Sequence, residues 1–133
     1  MSLGMFAAVA AGGALGAMTR YAVSLAVGAG FAGVPGPFAT IAVNVAGCAI
    51  MGGLAGAVAG GMALPEIWRG FIAVGFLGAL TTFSSFALDA GTLVARQGQM
   101  AAALYVGLSV VLSLIAFFAI QAAVESLFAR MPG

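Results

Sequence analysis

Four stretches of this chain, roughly residues 3–28, 38–61, 66–96 and 100–128, are long and apolar enough to cross a lipid bilayer. A spanning helix needs about 20 mostly apolar residues at 1.5 Å rise each. Inside hydrocarbon every backbone N–H and C=O must find a partner within the protein, which leaves helices or closed barrels. Segments of this length read as helices. Four basic and three acidic side chains in 133 residues, 5% charged against 64% hydrophobic, cannot cover a water-exposed surface, where about 25% charge is usual. The expected fold is therefore an all-α membrane protein, one integral membrane domain over residues 1–133 with four transmembrane helices. The N-terminus, MSLGMFAAVAAGGALGA, lacks a positive leading region and is long for a cleaved signal, so it reads as the first span.

Breakers separate the spans. Gly28, Gly30, Gly33, Pro35, Gly36 and Pro37 end the first, and Gly60-Gly61 ends the second. The third starts at Pro65-Glu66, where Pro suits the first helical position and an acid suits the positive helix start. Trp68 and Arg69 fit the membrane–water interface. Gln97-Gly98-Gln99 turns the chain into the fourth span. Short connections make successive helices antiparallel neighbours, with both termini on one side.

The third span is too long. A straight helix over it would run roughly 43 Å, against about 30 Å of hydrocarbon. Gly75 and Gly78 near its middle favour a break, expected over about 75–82. Backbone freed at that depth must be buried in protein or line a polar cavity, and in transport proteins such carbonyls commonly hold a cation. The balance of arginines bears on orientation. Arg69 and Arg130 fall on the side of the termini, Arg20 and Arg96 on the other. Cytoplasmic loops carry the Lys/Arg excess, so an even split predicts insertion both ways up and an antiparallel homodimer.

A net charge of +1 excludes a nucleic-acid footprint. The single Cys48 supplies neither a disulfide framework nor a thiolate metal site within one chain. With no His and no acid pair at catalytic spacing, the chain does not read as an enzyme. Gly12 and Gly16, and Gly52, Gly56 and Gly60, are spaced for close helix packing.

The polar residues within the spans are few. Asn44 is the amide of the second span, with Thr40 one turn before it on the same face. It reads either as an interhelical hydrogen bond or as a donor facing an ion path. Tyr105, Ser109 and Ser113 recur at i, i+4 and i+8 on the fourth span as one hydroxyl stripe. Arg20 either snorkels to the interface or places a cation in a vestibule. Asp89 lies toward the end of the third span, and an intramembrane acid is a functional candidate. In GFLGALTTFSSF (75–86), Phe83 and Phe86 share a face among the hydroxyls of Thr81, Thr82, Ser84 and Ser85. An aromatic ring has a positive edge. Ring edges with hydroxyl and amide donors suit a small, strongly hydrated anion, which needs close groups in place of its water.

GALGAMTRY (13–21), TIAVNVAGCAIMGG (40–53) and GFLGALTTFSSF (75–86) together resemble the CrcB/Fluc fluoride channels, over essentially the whole chain. The resemblance implies an antiparallel, dual-topology homodimer in the bacterial inner membrane, with two fluoride pores that let fluoride leave the cell. It implies Phe83 and Phe86 as pore aromatics, Asn44 as a donor, and Tyr105, Ser109 and Ser113 as a polar track, with Thr82 and Ser84 as further hydroxyls. It implies a structural sodium ion at the dimer centre, held by backbone carbonyls of Gly78 and Thr81, and Arg20 at the vestibule. The chain departs from the family's usual residues at Ala79, Ser85 and Asp89; the last keeps the charge with a shorter reach.

Two other readings compete. A small dual-topology multidrug exporter needs a carboxylate deep in the first helix, which has none. A non-transporting membrane subunit would have little use for a broken helix or for balanced arginines.

Overall fold

The computed structural model describes residues 2–30 and 36–130. Of the breakers between the first two spans, Gly33 and Pro35 lie outside the described residues. The described residues are all helical apart from short connections: α1 (Leu3–Gly30), α2 (Pro37–Ala59), α3 (Glu66–Arg69), a π-helical stretch (Gly70–Leu77), α4 (Gly78–Leu80), α5 (Phe83–Gln97) and α6 (Gln99–Phe128). Among the described residues four spans are long and apolar enough to cross a membrane: Leu3–Val27, Pro37–Ala59, Glu66–Gln97 and Gln99–Phe128.

The connections follow from local chemistry. Pro37 opens α2 behind Gly36, whose φ of 95° needs a glycine. At the other end Gly61 takes φ 101°. There the Met62 N–H reaches the Ala57 carbonyl (2.9 Å) and the Gly61 N–H reaches that of Val58 (3.1 Å), so two end carbonyls of α2 are satisfied.

Two parallel helix pairs form the body. The third span packs along α1, and α6 packs along α2. Glycine lets backbones touch in both. A side chain on Gly52 would collide with the Phe117 carbonyl, and one on Gly56 with that of Gln121. On α1, Gly12 sits against the Phe71 carbonyl and Gly16 against that of Phe76. The glycines are four apart and the carbonyls five apart. One α turn of α1 is thus matched to one wider turn of the π-helical stretch, whose bonds run i to i+5. Lipid gives little hydrophobic drive between helices, so such close approach and its dispersion contacts hold the bundle.

Leu104, Leu108, Val111, Ile115 and Phe118 form an exposed stripe on α6, suited to acyl chains. The small buried core lies elsewhere. Val43, Leu77 and Leu80 pack between α2 and the third span, and Leu93, Ala102 and Tyr105 pack where α5 meets α6. Between these two clusters lie the polar residues.

Candidate functional site

The site is organised by two residues with extended backbone, Thr81 (φ −78°, ψ 152°) and Thr82 (φ −150°, ψ 125°), between α4 and α5. Both glycines named for the expected break are helical, Gly75 in the π stretch and Gly78 in α4. Competition for hydrogen bonds accounts for the conformation of the threonines. Asn44 Oδ1 accepts the Thr82 N–H at 2.8 Å, and Asn44 Nδ2 donates to the Thr82 carbonyl at 3.2 Å. A primary amide presenting both faces satisfies one residue's backbone much as a neighbouring strand would. Thr82 then caps α5: its Oγ1 accepts the Ser85 N–H at 3.2 Å and lies 3.2 Å from the Ser85 hydroxyl and 3.3 Å from that of Ser84.

These bonds redirect backbone donors. In an uninterrupted α-helix the Thr82 N–H would serve the Gly78 carbonyl, and the Ser85 N–H that of Thr81. Here both go elsewhere, to Asn44 and to the Thr82 side chain. Thr81 holds on to the preceding turn, with its N–H (3.1 Å) and its hydroxyl (2.9 Å) both donated to the Leu77 carbonyl. The negative end of one helix and the positive end of the next therefore face each other across two residues.

One groove of about 460 Å³ gathers most of the polar residues read from the sequence. Asn44, Gly78, Thr81, Thr82, Phe83, Phe86, Ser109 and Ser113 all line it, together with Cys48. The Phe83 and Phe86 ring centroids are 5.4 Å apart at 39°. Ser109 is buried at 3% exposure, whereas Phe83 is 80% exposed, so the groove is walled on the α6 side and open beyond Phe83. Asn44 keeps one Nδ2 hydrogen beyond those committed to Thr82.

Tyr105, Ser84 and Arg20 lie outside the lining of this groove. Tyr105 is buried against Phe86, with centroids 5.4 Å apart at 31°. Ser84 is exposed beside Thr82. Arg20 lines a second cavity of about 220 Å³, shared with Thr40, Thr82, Ser85 and Asp89. Thr82 borders both cavities.

Asp89 has specific partners. Its Oδ2 accepts from Thr40 Oγ1 at 2.6 Å and from the Tyr105 hydroxyl at 3.3 Å. This carboxylate joins α2, α5 and α6. Sequence reasoning named all three residues without connecting them. The signal available was the i, i+4 placement of Thr40 and Asn44, which puts both on the face of α2 that meets the third span. The bidentate grip of Asn44 on Thr82 had no sequence signal, because the two residues are far apart in the chain.

Among the described residues no group of three or more His, Cys, Asp or Glu could hold a metal ion. The oxygens suited to a cation are the backbone carbonyls of Gly78 and Thr81, which have lost their helical donors as described above. Neutral, hard oxygen donors of that kind fit an alkali ion.

The family described as CrcB-like protein, Camphor Resistance (CrcB), matches residues 7–120. The chain is 48% identical over 116 residues to the fluoride-specific ion channel FluC of Rhodospirillum centenum, covering 86% of this chain and 90% of that one. It is 47% identical over 127 residues to the FluC of Paracoccus denitrificans, covering 93% and 97%. It is 42% identical over 116 residues to FluC 2 of Nitrobacter hamburgensis, covering 87% and 93%. With its three motifs, its four apolar spans and relatives this similar along nearly their full length, the chain belongs to the CrcB-like family.

Proposed function

We propose that this chain is a fluoride-selective passive ion channel of the bacterial inner membrane. It works as an antiparallel homodimer with two pores, and its third span is broken mid-membrane. The observation that carries the reading is the pair of extended threonines, the second of them gripped by Asn44. They bring the N-terminus of α5, two phenyl rings and the α6 hydroxyls to one groove.

Fluoride is small and holds its water tightly, so a pore must replace that water with groups at close range. In the groove those groups are the spare Asn44 N–H, the Ser109 and Ser113 hydroxyls, and the ring edges of Phe83 and Phe86. The first N–H groups of α5, with the positive end of its dipole, favour an anion at the same depth. The Thr40–Asp89–Tyr105 cluster lies toward one end of this path, beside the cavity that holds Arg20. Arg20 supplies positive potential at that mouth.

A second copy suits the open side of the groove. Phe83 projects from one chain with most of its surface uncovered, and Gly78 is exposed nearby. Two carbonyls from one chain are too few for an alkali ion; two copies about a two-fold axis double them. Gly78 and Thr81 would hold sodium there. Sodium bound to them would supply a positive charge to balance the helix C-terminus at Thr81.

A passive pore needs only a gradient. In an acidified environment fluoride enters the cell as its uncharged acid and dissociates in the less acidic interior. A potential of 100 mV, negative inside, moves one elementary charge with about 2.3 kcal/mol, enough to hold the interior about 50-fold below the exterior. The test is efflux from liposomes reconstituted with the purified protein. Fluoride release on shunting the potential, with chloride retained, is the expected result. Equal chloride release, or no fluoride release, refutes the reading.

A further inference from the structure

Gly47 belongs to neither glycine series that packs the helices. It is buried on α2, one turn after Asn44. A Cβ built at Gly47 would overlap Cγ2 of Thr81 and would lie 3.8 Å from Thr81 Cβ and 3.9 Å from Leu80 Cδ2. The backbone of Gly47 is thus the seat of the Thr81 methyl group.

Thr81 cannot easily turn aside. Its hydroxyl donates to the Leu77 carbonyl at 2.9 Å. Rotating χ1 to move the methyl would break that bond, and a β-branched side chain has few other wells. The next residue is also held from α2, because Asn44 grips the backbone of Thr82. Thr81 is therefore fixed at its hydroxyl, its methyl and its C-terminal peptide. Its carbonyl belongs to that same peptide. Gly47, Gly78 and Thr81 also line one small cavity of about 130 Å³.

We infer that Gly47 is a positioning residue: its missing side chain seats the Thr81 methyl and so holds the Thr81 carbonyl in the direction from which it can bind a cation. The inference rests on the reading above that the Gly78 and Thr81 carbonyls hold sodium. Gly47→Ala places a methyl where the Thr81 methyl sits, and because that side chain cannot rotate away, overpacking of this kind shifts the Thr81 backbone. The carbonyl turns with it.

The test is a double-mutant cycle between Gly47→Ala and Thr81→Ser, since serine keeps the hydroxyl and drops the methyl. Each purified protein is titrated with Na+ against N-methylglucamine. Two readouts are taken: the melting temperature in detergent and fluoride efflux in liposomes. In the wild-type parent, Gly47→Ala should raise the Na+ concentration for half-maximal stabilisation about tenfold or more. In the Thr81→Ser parent the same change should move it by no more than about twofold. An unshifted titration in G47A, or an equal shift in both parents, overturns the inference. If G47A alone does not fold and the double variant folds with its parent's Na+ response, the seat is confirmed. If neither folds, the obstruction is not the methyl and the inference is wrong. A wild type indifferent to Na+ removes the sodium reading and this inference together. A Na+-responsive wild type beside an unshifted G47A removes this inference alone.

Discussion

Replacing Asn44 by valine tests whether a side-chain amide holds the third span in its interrupted form. The substitution removes two hydrogen bonds to Thr82, at 2.8 and 3.2 Å, and leaves a side chain of similar width. The freed Thr82 N–H has one nearby alternative, the Gly78 carbonyl that it would serve in a continuous helix. Interhelical hydrogen bonds in membranes average about 0.6 kcal/mol and reach about 1.7, while a buried group left without a partner costs about 1–3 kcal/mol. Two bonds to one residue therefore shift the balance between interrupted and continuous helix by about 2 kcal/mol, a factor of about 30 in the ratio of the two forms. Fluoride efflux from liposomes should fall in Asn44→Val, by up to about that factor. Size-exclusion chromatography should still show the wild-type elution volume, because the glycine seams of α1 and α2 that hold the fold are untouched. Hydrogen exchange gives the second readout: protection of the Thr82 and Ser85 amides should change while that of α6 stays. Efflux within about twofold of wild type, with unchanged exchange at Thr82, would refute the reasoning.

Other perturbations separate chemistry from scaffold. Phe83→Ile or Phe86→Ile should abolish fluoride efflux while each protein stays folded, because an alkyl group has no electropositive edge; normal efflux in both removes the aromatic role. Asp89→Asn keeps an oxygen acceptor for Thr40 and Tyr105 and should cost little stability, whereas Asp89→Leu strands both hydroxyls and should lower the melting temperature by the equivalent of about 1–3 kcal/mol. Equal melting temperatures for the two Asp89 variants would show that the cluster does not hold α2, α5 and α6 together. Gly56→Leu drives a side chain into the Gln121 backbone; it should unfold the protein or sharply reduce its yield, and a wild-type melting curve would contradict the α2–α6 seam.

Much of the architecture is legible in the sequence because lipid leaves few options. A chain this apolar must be helical where it spans, and its apolar lengths count four spans. The hydroxyls and rings of residues 81–86 stand out against that background for the same reason. What stays hidden depends on contacts between distant residues. Glycine permits a helix to deform but takes no N–H away from it, so Gly75 and Gly78 point to the region and not to the residues. The extended pair is set by Asn44 and by the Thr82 hydroxyl, which draw donors from Gly78 and Thr81. The π-helical stretch is likewise unreadable from Gly70–Leu77 alone, since its wider turn answers to Gly12 and Gly16 on another helix. Asp89 stands in the sequence as an acid toward a span's end with no partner indicated, and only the packing of α5 on α6 brings Tyr105 to it.

In the proposed channel opposite helix ends would meet in the middle of the membrane, one drawing an anion and the other a cation. Crystals of the protein grown in lipid with sodium fluoride address this directly. Extended backbone at Thr81 and Thr82, with density for an anion at the rims of Phe83 or Phe86 and for a cation on the Gly78 and Thr81 carbonyls, is the predicted result. An α-helix running unbroken through both threonines, with the two rings turned into the acyl chains, would contradict it.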